Sequence, residues 1–244
     1  FYSLDGFVDA HQAIAEWETV ASANWHASAA LAATVEDCGL LVDVGTTTTD
    51  LIPFKDGRPC AIGRNDGDRL TEGELLYRGV VRTPVMAIAG QAPFKGRMQG
   101  LAAERFATMA DVYRLTGELP GDADPFPSAD GRGKSLEDSA ARLARMLGRD
   151  AEDADFVAWK ALAHFLARRL LDQIEADARA VVEREDLPPK APIFGAGCGR
   201  FLAVAIADRL ERPYHDFADL TPCADDVHGM VARCAPAAAV ARLA

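Results

Sequence analysis

The stretch Leu40-Leu41-Val42-Asp43-Val44-Gly45-Thr46-Thr47-Thr48-Thr49-Asp50-Leu51-Ile52-Pro53-Phe54 decides how the rest of this chain reads. Leu40 to Val44 is a short apolar run that suits a buried strand. It runs straight into Gly45 and four threonines, and Leu51–Phe54 follows as a second strand. Glycine lets the backbone approach a phosphate closely, and successive N–H groups at such a turn can point at its oxygens. Threonine hydroxyls add donors without adding negative charge. A carboxylate at the strand end, Asp43, can hold Mg²⁺ directly or through water. A hairpin with a Thr-rich strand is the plainer alternative. Two aspartates bracketing four threonines favour the phosphate site, with Gly45, Thr46, Thr47, Thr48 and Asp50 as its contacts and Asp43 as its metal ligand.

A second glycine-rich turn lies at Ile193-Phe194-Gly195-Ala196-Gly197-Cys198-Gly199-Arg200, between an apolar strand and a helix running to Arg209. Gly195, Gly197 and Gly199 are candidate ligand contacts. A Rossmann turn would lie near the first strand of its domain, with an acidic residue about 20 positions on. This turn lies late in the chain, and no acid sits convincingly at the end of a next strand about 20 positions on, although Asp216 is not far off. Its place after the Thr-rich loop suits a different arrangement.

Working outward, residues 1–5 read as a strand ended by Asp5-Gly6. Residues 9–35 are helical in pattern, with Ile14, Trp17, Val20 and Ala21 at spacings of three and four, and Asn24 interrupts or re-caps the run. Lys55-Asp56-Gly57-Arg58 is a hairpin turn leading to a strand at 60–62. Residues 66–84 are charged and irregular, 85–89 a strand, 101–115 a helix and 117–134 a Gly/Pro/Asp loop. Helices over 136–147 and 154–184 follow, the longer ended by prolines. A strand at 214–217 and a helix from about 227 close the chain, which opens without Met as if a strand were already in progress. A preceding segment is therefore expected.

The chain has 244 residues, 49% hydrophobic and 26% charged, with a mean hydropathy near zero. That is the profile of a water-soluble chain with a substantial core. Its formal charge is −11, from 37 acidic and 26 basic residues. Nucleic acid and anionic membranes are thereby excluded as main partners, because the electrostatic interaction would be repulsive. Cysteines at 38, 60, 198, 223 and 234 show no two-residue spacing of a zinc or redox motif. They read as reduced thiols, which places the expectation in the cytoplasm. Nothing in the sequence reads as a signal peptide or a span. Homo-oligomer formation is left open.

Together the two glycine-rich segments resemble the actin/sugar-kinase/heat-shock ATPase superfamily. In that fold a strand–Asp-x-Gly-Thr–strand hairpin binds phosphate, and a later strand–Gly turn–helix packs on the nucleoside. The resemblance implies an α/β, two-lobed, actin-like ATPase (ribonuclease H-like) fold lacking the N-terminal part of its first lobe. Residues 1–40 would be the remainder of that lobe. Residues 41–244 would be the second, with a helical insertion at about 100–186. Closer resemblance lies in Ala23–Ala27, in Val42–Pro53, in Arg69–Pro84, in Ala110–Gly117 and in Ala129-Asp130-Gly131. These blocks look like the tetrahydromethanopterin-linked one-carbon transfer pathway family, with its hydantoinase/oxoprolinase-type members.

That resemblance implies a transferase of methanofuran-type cofactor synthesis. An aminomethylfuran diphosphate would condense with the phenol of (γ-glutamyl)tyramine and release diphosphate. A furan ring stabilises positive charge at its CH₂ group, so the enzyme mainly has to neutralise the departing diphosphate. The Gly/Thr loop with Mg²⁺, helped by Arg69 or Arg82, would do so. His26 or Glu74 would take the phenol proton. The expected partners are thus a phosphorylated small molecule and a phenolic amine. Two alternatives stay open: an ATP-dependent hydrolase or small-molecule kinase, in which ATP occupies the same loop, and a non-catalytic nucleotide-binding subunit.

Each candidate has a plainer reading. His26, beside Trp25, suits a structural histidine. Arg69, Glu72, Glu74 and Arg82 form either a solvated ion-pair cluster or a pocket. Asp111 and Tyr113 fit capping or core packing, Asp130 and Lys134 a turn. Trp159, Leu162 and Leu166 form a core stripe, and His11 and His164 receive no function.

Overall fold

The computed structural model describes residues 1–21 and 23–244. They form two compact units, the first made of residues 1–44, 48–76 and 175–244, the second of residues 45–47 and 77–174.

In the first unit, the expected opening strand is a small antiparallel hairpin, β1 (Tyr2–Ser3) and β2 (Gly6–Phe7), because Gly6 at φ 113 turns the chain back. The expected helical stretch, interrupted near Asn24, is formed by α1 (Ala10–Ala15), α2 (Trp17–Val20) and α3 (Asn24–Ala32), the last starting at Asn24. Asp9 caps α1, accepting from the backbone N–H groups of His11 and Gln12. Asn24 lies inside the first turn of α3 and does not cap it.

The quoted stretch folds as read. β3 (Gly39–Val44) pairs antiparallel with β4 (Thr49–Lys55). The turn beyond β4 has Asp56 at φ 53 and Gly57 at φ 70, the left-handed pair of a tight hairpin. It leads to β5 (Arg58–Pro59), two residues earlier than expected. Residues 66–84 are more regular than their composition suggests. α4 (Asp66–Thr71) is capped by Asn65, and β6 (Leu75–Leu76) pairs with β4. A six-residue polar helix has too little apolar periodicity to be seen in sequence.

The second unit contains a short 3-10 turn at Val85–Ala87 where a strand was expected. The strands are next to it, β7 (Gln91–Phe94) and β8 (Arg97–Gly100). They are joined by Lys95 and Gly96 at φ 48 and 77, a turn that Lys-Gly signals weakly. The helix expected over 101–115 begins only at α5 (Met109–Thr116), where Thr108 and Asp111 form a capping box and Gly117 at φ 84 ends it. α6 (Leu136–Met146) is capped by Ser135.

α7 (Phe156–Arg184) is the expected long helix. Its residues to Ile174 belong with the second unit and the rest with the first. Trp159, Leu162, Leu166 and Leu170 are its buried stripe, and Phe94 stacks on Trp159 at 4.8 Å.

Back in the first unit, β9 (Ile193–Ala196) and α8 (Arg200–Arg209) flank the second glycine turn, and β10 (Tyr214–Asp216) follows. The final helix is two, α9 (His228–Arg233) and α10 (Ala235–Leu243), broken where Pro236 enters the first turn of α10. The main sheet has the order β10-β9-β3-β4-β5, with β10, β9 and β3 parallel. On one face, Leu41, Ile52, Phe54 and Phe194 are buried with Trp25, Ala29 and Ala32 of α3 and Ala235 and Ala239 of α10. Alanines on both helices let them approach closely. Each large side chain buried there contributes about 1.5–3 kcal/mol. Among the described residues no helix is long and apolar enough to cross a membrane.

Candidate functional site

Strand parity places the first chemical feature. Leu41 and Asp43 share one face of β3, and Asp50 and Ile52 share the same face of β4. The register pairs Leu41 with Ile52 and Asp43 with Asp50. Two carboxylates therefore stand directly opposite each other where the apolar face ends. Like charges so placed repel. Burial, and secondarily Asp50, push the Asp43 carboxyl up to about 8, so near neutral pH it carries a proton for much of the time. Asp50 is also raised by burial, against the opposing pull of Arg69.

The second glycine turn closes on this end of β3. Asp43 pairs with Ala196 in the parallel register, so both glycine segments lie at the carboxyl ends of parallel strands, where open α/β sheets bind ligands. Gly197 has φ 84, and a Cβ there would fall 2.1 Å from the Val44 carbonyl oxygen and 2.5 Å from Asp43 Oδ1. Only glycine permits that approach. Gly199 N–H donates to the Val44 carbonyl at 2.8 Å, and Gly197 N–H to Ala232 O at 2.8 Å. Gly195 has a packing role: a Cβ would overlap the ring of Tyr214.

Arg69, on α4, is 1% exposed. Its Nη2 donates to Asp50 Oδ1 at 2.7 Å and to the Glu74 carbonyl at 3.1 Å. Its guanidinium lies 4.0 Å from the Trp25 ring centroid, a desolvated cation–π contact of about 2 kcal/mol. Gly63 makes room, since a Cβ there would overlap Arg69. Glu74 is fully buried. Its Oε1 accepts from Ile62 N–H at 2.8 Å and from Arg184 Nη2 at 2.6 Å, and its Oε2 accepts from Gly63 N–H at 3.0 Å. Glu74 is thus engaged in holding the 62–63 loop.

His26, on α3, contacts Tyr2 Oη through Nδ1 at 2.9 Å and meets Trp25 edge-on. Burial lowers its pKa, with Asp5 raising it and Arg64 lowering it further. This favours the neutral imidazole, the form that can accept a proton.

In the second unit, the loop residues Gly45–Thr47 lie on the segment 79–83. Gly45 O accepts from Val80 N–H at 3.1 Å, and Thr46 O accepts from Val81 at 3.1 Å and Arg82 at 2.8 Å. A Cβ on Gly79 would fall 2.5 Å from Thr46 C and Thr47 N. The Gly45 and Thr46 carbonyls are occupied by 80–82, and the N–H groups of Thr46 and Thr47 meet no backbone acceptor among the described residues. That polarity is what an anion cradle needs. Arg82 Nη1 approaches Thr47 Oγ1 at 3.5 Å, and its guanidinium lies 5.2 Å from the Phe126 ring centroid. Thr48 joins this loop to β4.

The structure thus brings Asp43, Asp50, Arg69, Gly197 and Gly199 to one end of the first unit's sheet, and Gly45, Thr46, Thr47 and Arg82 together in the second unit. Among the described residues no three His, Cys, Asp or Glu side chains cluster as a metal cage. Mg²⁺ nevertheless suits the donor set. It is commonly held by one or two carboxylates, waters and substrate phosphates, and Asp43 is a crowded carboxyl with no ion-pair partner among the described residues, whereas Asp50 has Arg69. Sequence reasoning missed Trp25 and Tyr2, the ring partners of Arg69 and His26. It named Trp25 within a block of resemblance and had no signal for its contact.

A family model for hydantoinase/oxoprolinase matches residues 2–215. A curated protein of Methanocaldococcus jannaschii, named (4-{4-[2-(gamma-L-glutamylamino)ethyl]phenoxymethyl}furan-2-yl)methanamine synthase, is 33% identical over 182 residues, 74% of this chain and 55% of its own length. One of the same name from Methanococcus vannielii is 32% identical over 111 residues, 46% of this chain and 50% of its own length. The chain spans about half the length of the curated relatives it matches.

Proposed function

This chain belongs to the hydantoinase/oxoprolinase family, and from that premise we propose that it acts as a transferase in methanofuran-type cofactor biosynthesis. The substrates in this reading are an aminomethylfuran diphosphate and the phenol of a (γ-glutamyl)tyramine. The phenol oxygen forms a bond to the furfuryl CH₂ group, the C–O bond to diphosphate breaks with its electrons, and diphosphate leaves. The named product of the relatives contains that phenoxymethyl–furan ether. The scaffold in this reading is the two-lobed actin-like one, and the compartment is the cytoplasm.

The observation that carries the reading is the loop Asp43–Asp50. Its Gly45 and Thr46 carbonyls are turned onto 80–82, and carboxyls flank it in sequence. Such a loop recognises a phosphate-bearing group through N–H and hydroxyl donors. Mg²⁺ held by Asp43 would supply further neutralisation of the leaving diphosphate. Arg82 adds a guanidinium beside Thr47, whereas Arg69 serves by holding Asp50 in place. His26 is the proton acceptor in this reading, because the Glu74 oxygens are already held by two N–H groups and Arg184.

The test uses the full-length protein with Mg²⁺, the furan diphosphate and γ-glutamyltyramine, without ATP, read by mass spectrometry. An ether product with released diphosphate, abolished in Asp43→Ala, is the expected result. No ether, but ADP formed once ATP and a lactam or cyclic amide are supplied, would replace this reading with the ATP-dependent hydrolase.

A further inference from the structure

Beyond the loop itself, the second unit has a narrow cleft of about 20 Å³, lined by Val81, Thr108, Phe126 and Pro127 with Arg114 and Asp124 in its wall, to which the exposed Arg82 and Arg105 also contribute. The acids near it are already matched. Asp111 pairs with Arg142 at 2.7 Å and Arg114 at 3.3 Å. Asp124 pairs with Arg114 at 2.7 Å and Lys134 at 3.2 Å, and Asp130 with Arg142 at 3.1 Å. Three carboxylates thus meet three cations, which leaves Arg82 and Arg105 against one further acid, Glu104, whose Oε1 accepts from the Arg105 backbone N–H at 2.9 Å.

Those two are different. Neither has a carboxylate within ion-pair distance among the described residues. The Arg82 guanidinium meets only Thr47 Oγ1 and the Phe126 ring there. Arg105 is exposed on the same wall. On a chain of formal charge −11, Arg82 has no carboxylate beside it, and Arg105, next to Glu104 in sequence, turns a guanidinium without an ion pair to the same cleft; two such guanidiniums mark a place for an anion. The Arg82 backbone N–H is also bonded to Thr46 O, so its side chain starts from a position fixed against the anion loop.

We propose that Arg105 and Arg82 together bind the diphosphate group of the substrate, and that Phe126 is a positioning residue that fixes Arg82. This deepens the transferase reading and rests on it for the identity of the ester. The chemistry fits the number of charges. A diphosphate ester carries two to three negative charges across two phosphoryl groups, and a guanidinium matches a phosphoryl edge with paired N–H donors. Phe126 is 40% exposed. With the guanidinium packed on its ring, Arg82 loses rotamer freedom before the ligand arrives.

The experiment measures binding apart from turnover. The full-length protein with Mg²⁺ is titrated calorimetrically with inorganic diphosphate, with the furfuryl ester and with ADP, as wild type, Arg105→Gln, Arg105→Lys, Arg82→Gln, Phe126→Leu and the Arg82→Gln/Phe126→Leu double variant. Arg105→Gln is expected to weaken inorganic diphosphate about tenfold, with a matching rise in KM for the ester and little change in kcat. Arg105→Lys is expected to recover part of that loss. Phe126→Leu is expected to weaken binding about threefold, and the further loss should vanish in the Arg82→Gln background. Stronger Arg105 dependence for the ester than for ADP assigns the subsite to the ester, and the reverse assigns it to a nucleotide and overturns the ester proposal. Binding unchanged within twofold in Arg105→Gln overturns the subsite while leaving any ether synthesis by the wild type intact. Conversely, Arg105-dependent diphosphate binding without ether synthesis by the wild type removes the transferase reading and keeps the anion subsite. Additive losses in the double variant overturn the role of Phe126.

Discussion

Asp111 is a buried acid and Asp43 a half-buried one, and what most separates them is the charge of their surroundings. Asp111, 2% exposed in the second unit, accepts from Arg142 Nε at 2.9 Å and Nη2 at 2.7 Å, and its other oxygen accepts from Thr108 N–H at 3.1 Å. Arg142 itself reaches Asp130 and the Gly133 carbonyl, and Lys134 reaches Asp124. The Gly/Pro/Asp loop is tied to α5 and α6 by these groups, and its charges are matched. Asp43, in the first unit, faces another carboxylate and has no ion-pair partner among the described residues, whereas Arg69 is committed to Asp50. A saturated buried network holds a shape. An unsaturated one is a reservoir for a proton or a cation.

The comparison can be broken at its strongest point first. Arg142→Ala leaves Asp111 buried without its main partner and is expected to cost about 3–5 kcal/mol of stability in urea denaturation. A loss under 1 kcal/mol would mean that the cluster is not what orders the loop. Next in size, Gly197→Ala puts a Cβ against Val44 O and Asp43 at a left-handed φ. Strain of about 2–3 kcal/mol is expected, and a thermal melt unchanged from wild type would contradict the close approach.

Asp43→Asn tests the unsaturated side, and its sign follows from linkage. The folded Asp43 carboxyl titrates at about 8, above an unfolded aspartate near about 3.9. Its contribution is fully present below the unfolded value and is lost as pH rises toward 8. Without divalent cation, the asparagine variant should therefore be more stable than wild type at pH 8.5, by about 1–2 kcal/mol. The gap should close as pH falls toward 5. Equal stabilities at both pH values would show that Asp43 is not strained by its surroundings.

The smallest effect belongs to Asp130→Asn. The Asp130 carboxyl is held below the usual range: burial pulls upward and is outweighed by the Arg132 N–H and by Arg142. Its stabilising contribution is present above the unfolded value and is lost as pH falls through the folded one. A cost of about 1 kcal/mol at pH 7 is expected, shrinking in acid. A loss that grows in acid would reverse the assignment.

Sequence reading went furthest where local chemistry and local geometry coincide. The β3–loop–β4 hairpin, the 29-residue α7 and the strand–glycine turn–α8 segment needed only short-range patterns. The Thr108 and Asp111 capping box was also present in the sequence, yet the helix was expected to begin near 101. A short turn at Val85–Ala87 and the β7–β8 hairpin were exchanged for a single strand, because Lys-Gly is a weak turn signal.

What the sequence by itself determined is a mixed α/β chain with an anion-type loop between two aspartates, since a strand's period of two and a glycine's freedom are properties of a few neighbouring residues. The tertiary structure alone decided which charges are matched. Glu74 meets Arg184 and Asp111 meets Arg142 over sequence separations of 110 and 31 residues, and Asp43 is left opposite Asp50. Charge pairing is a property of distance in space and of exclusion from water, and neither is carried by position along the chain.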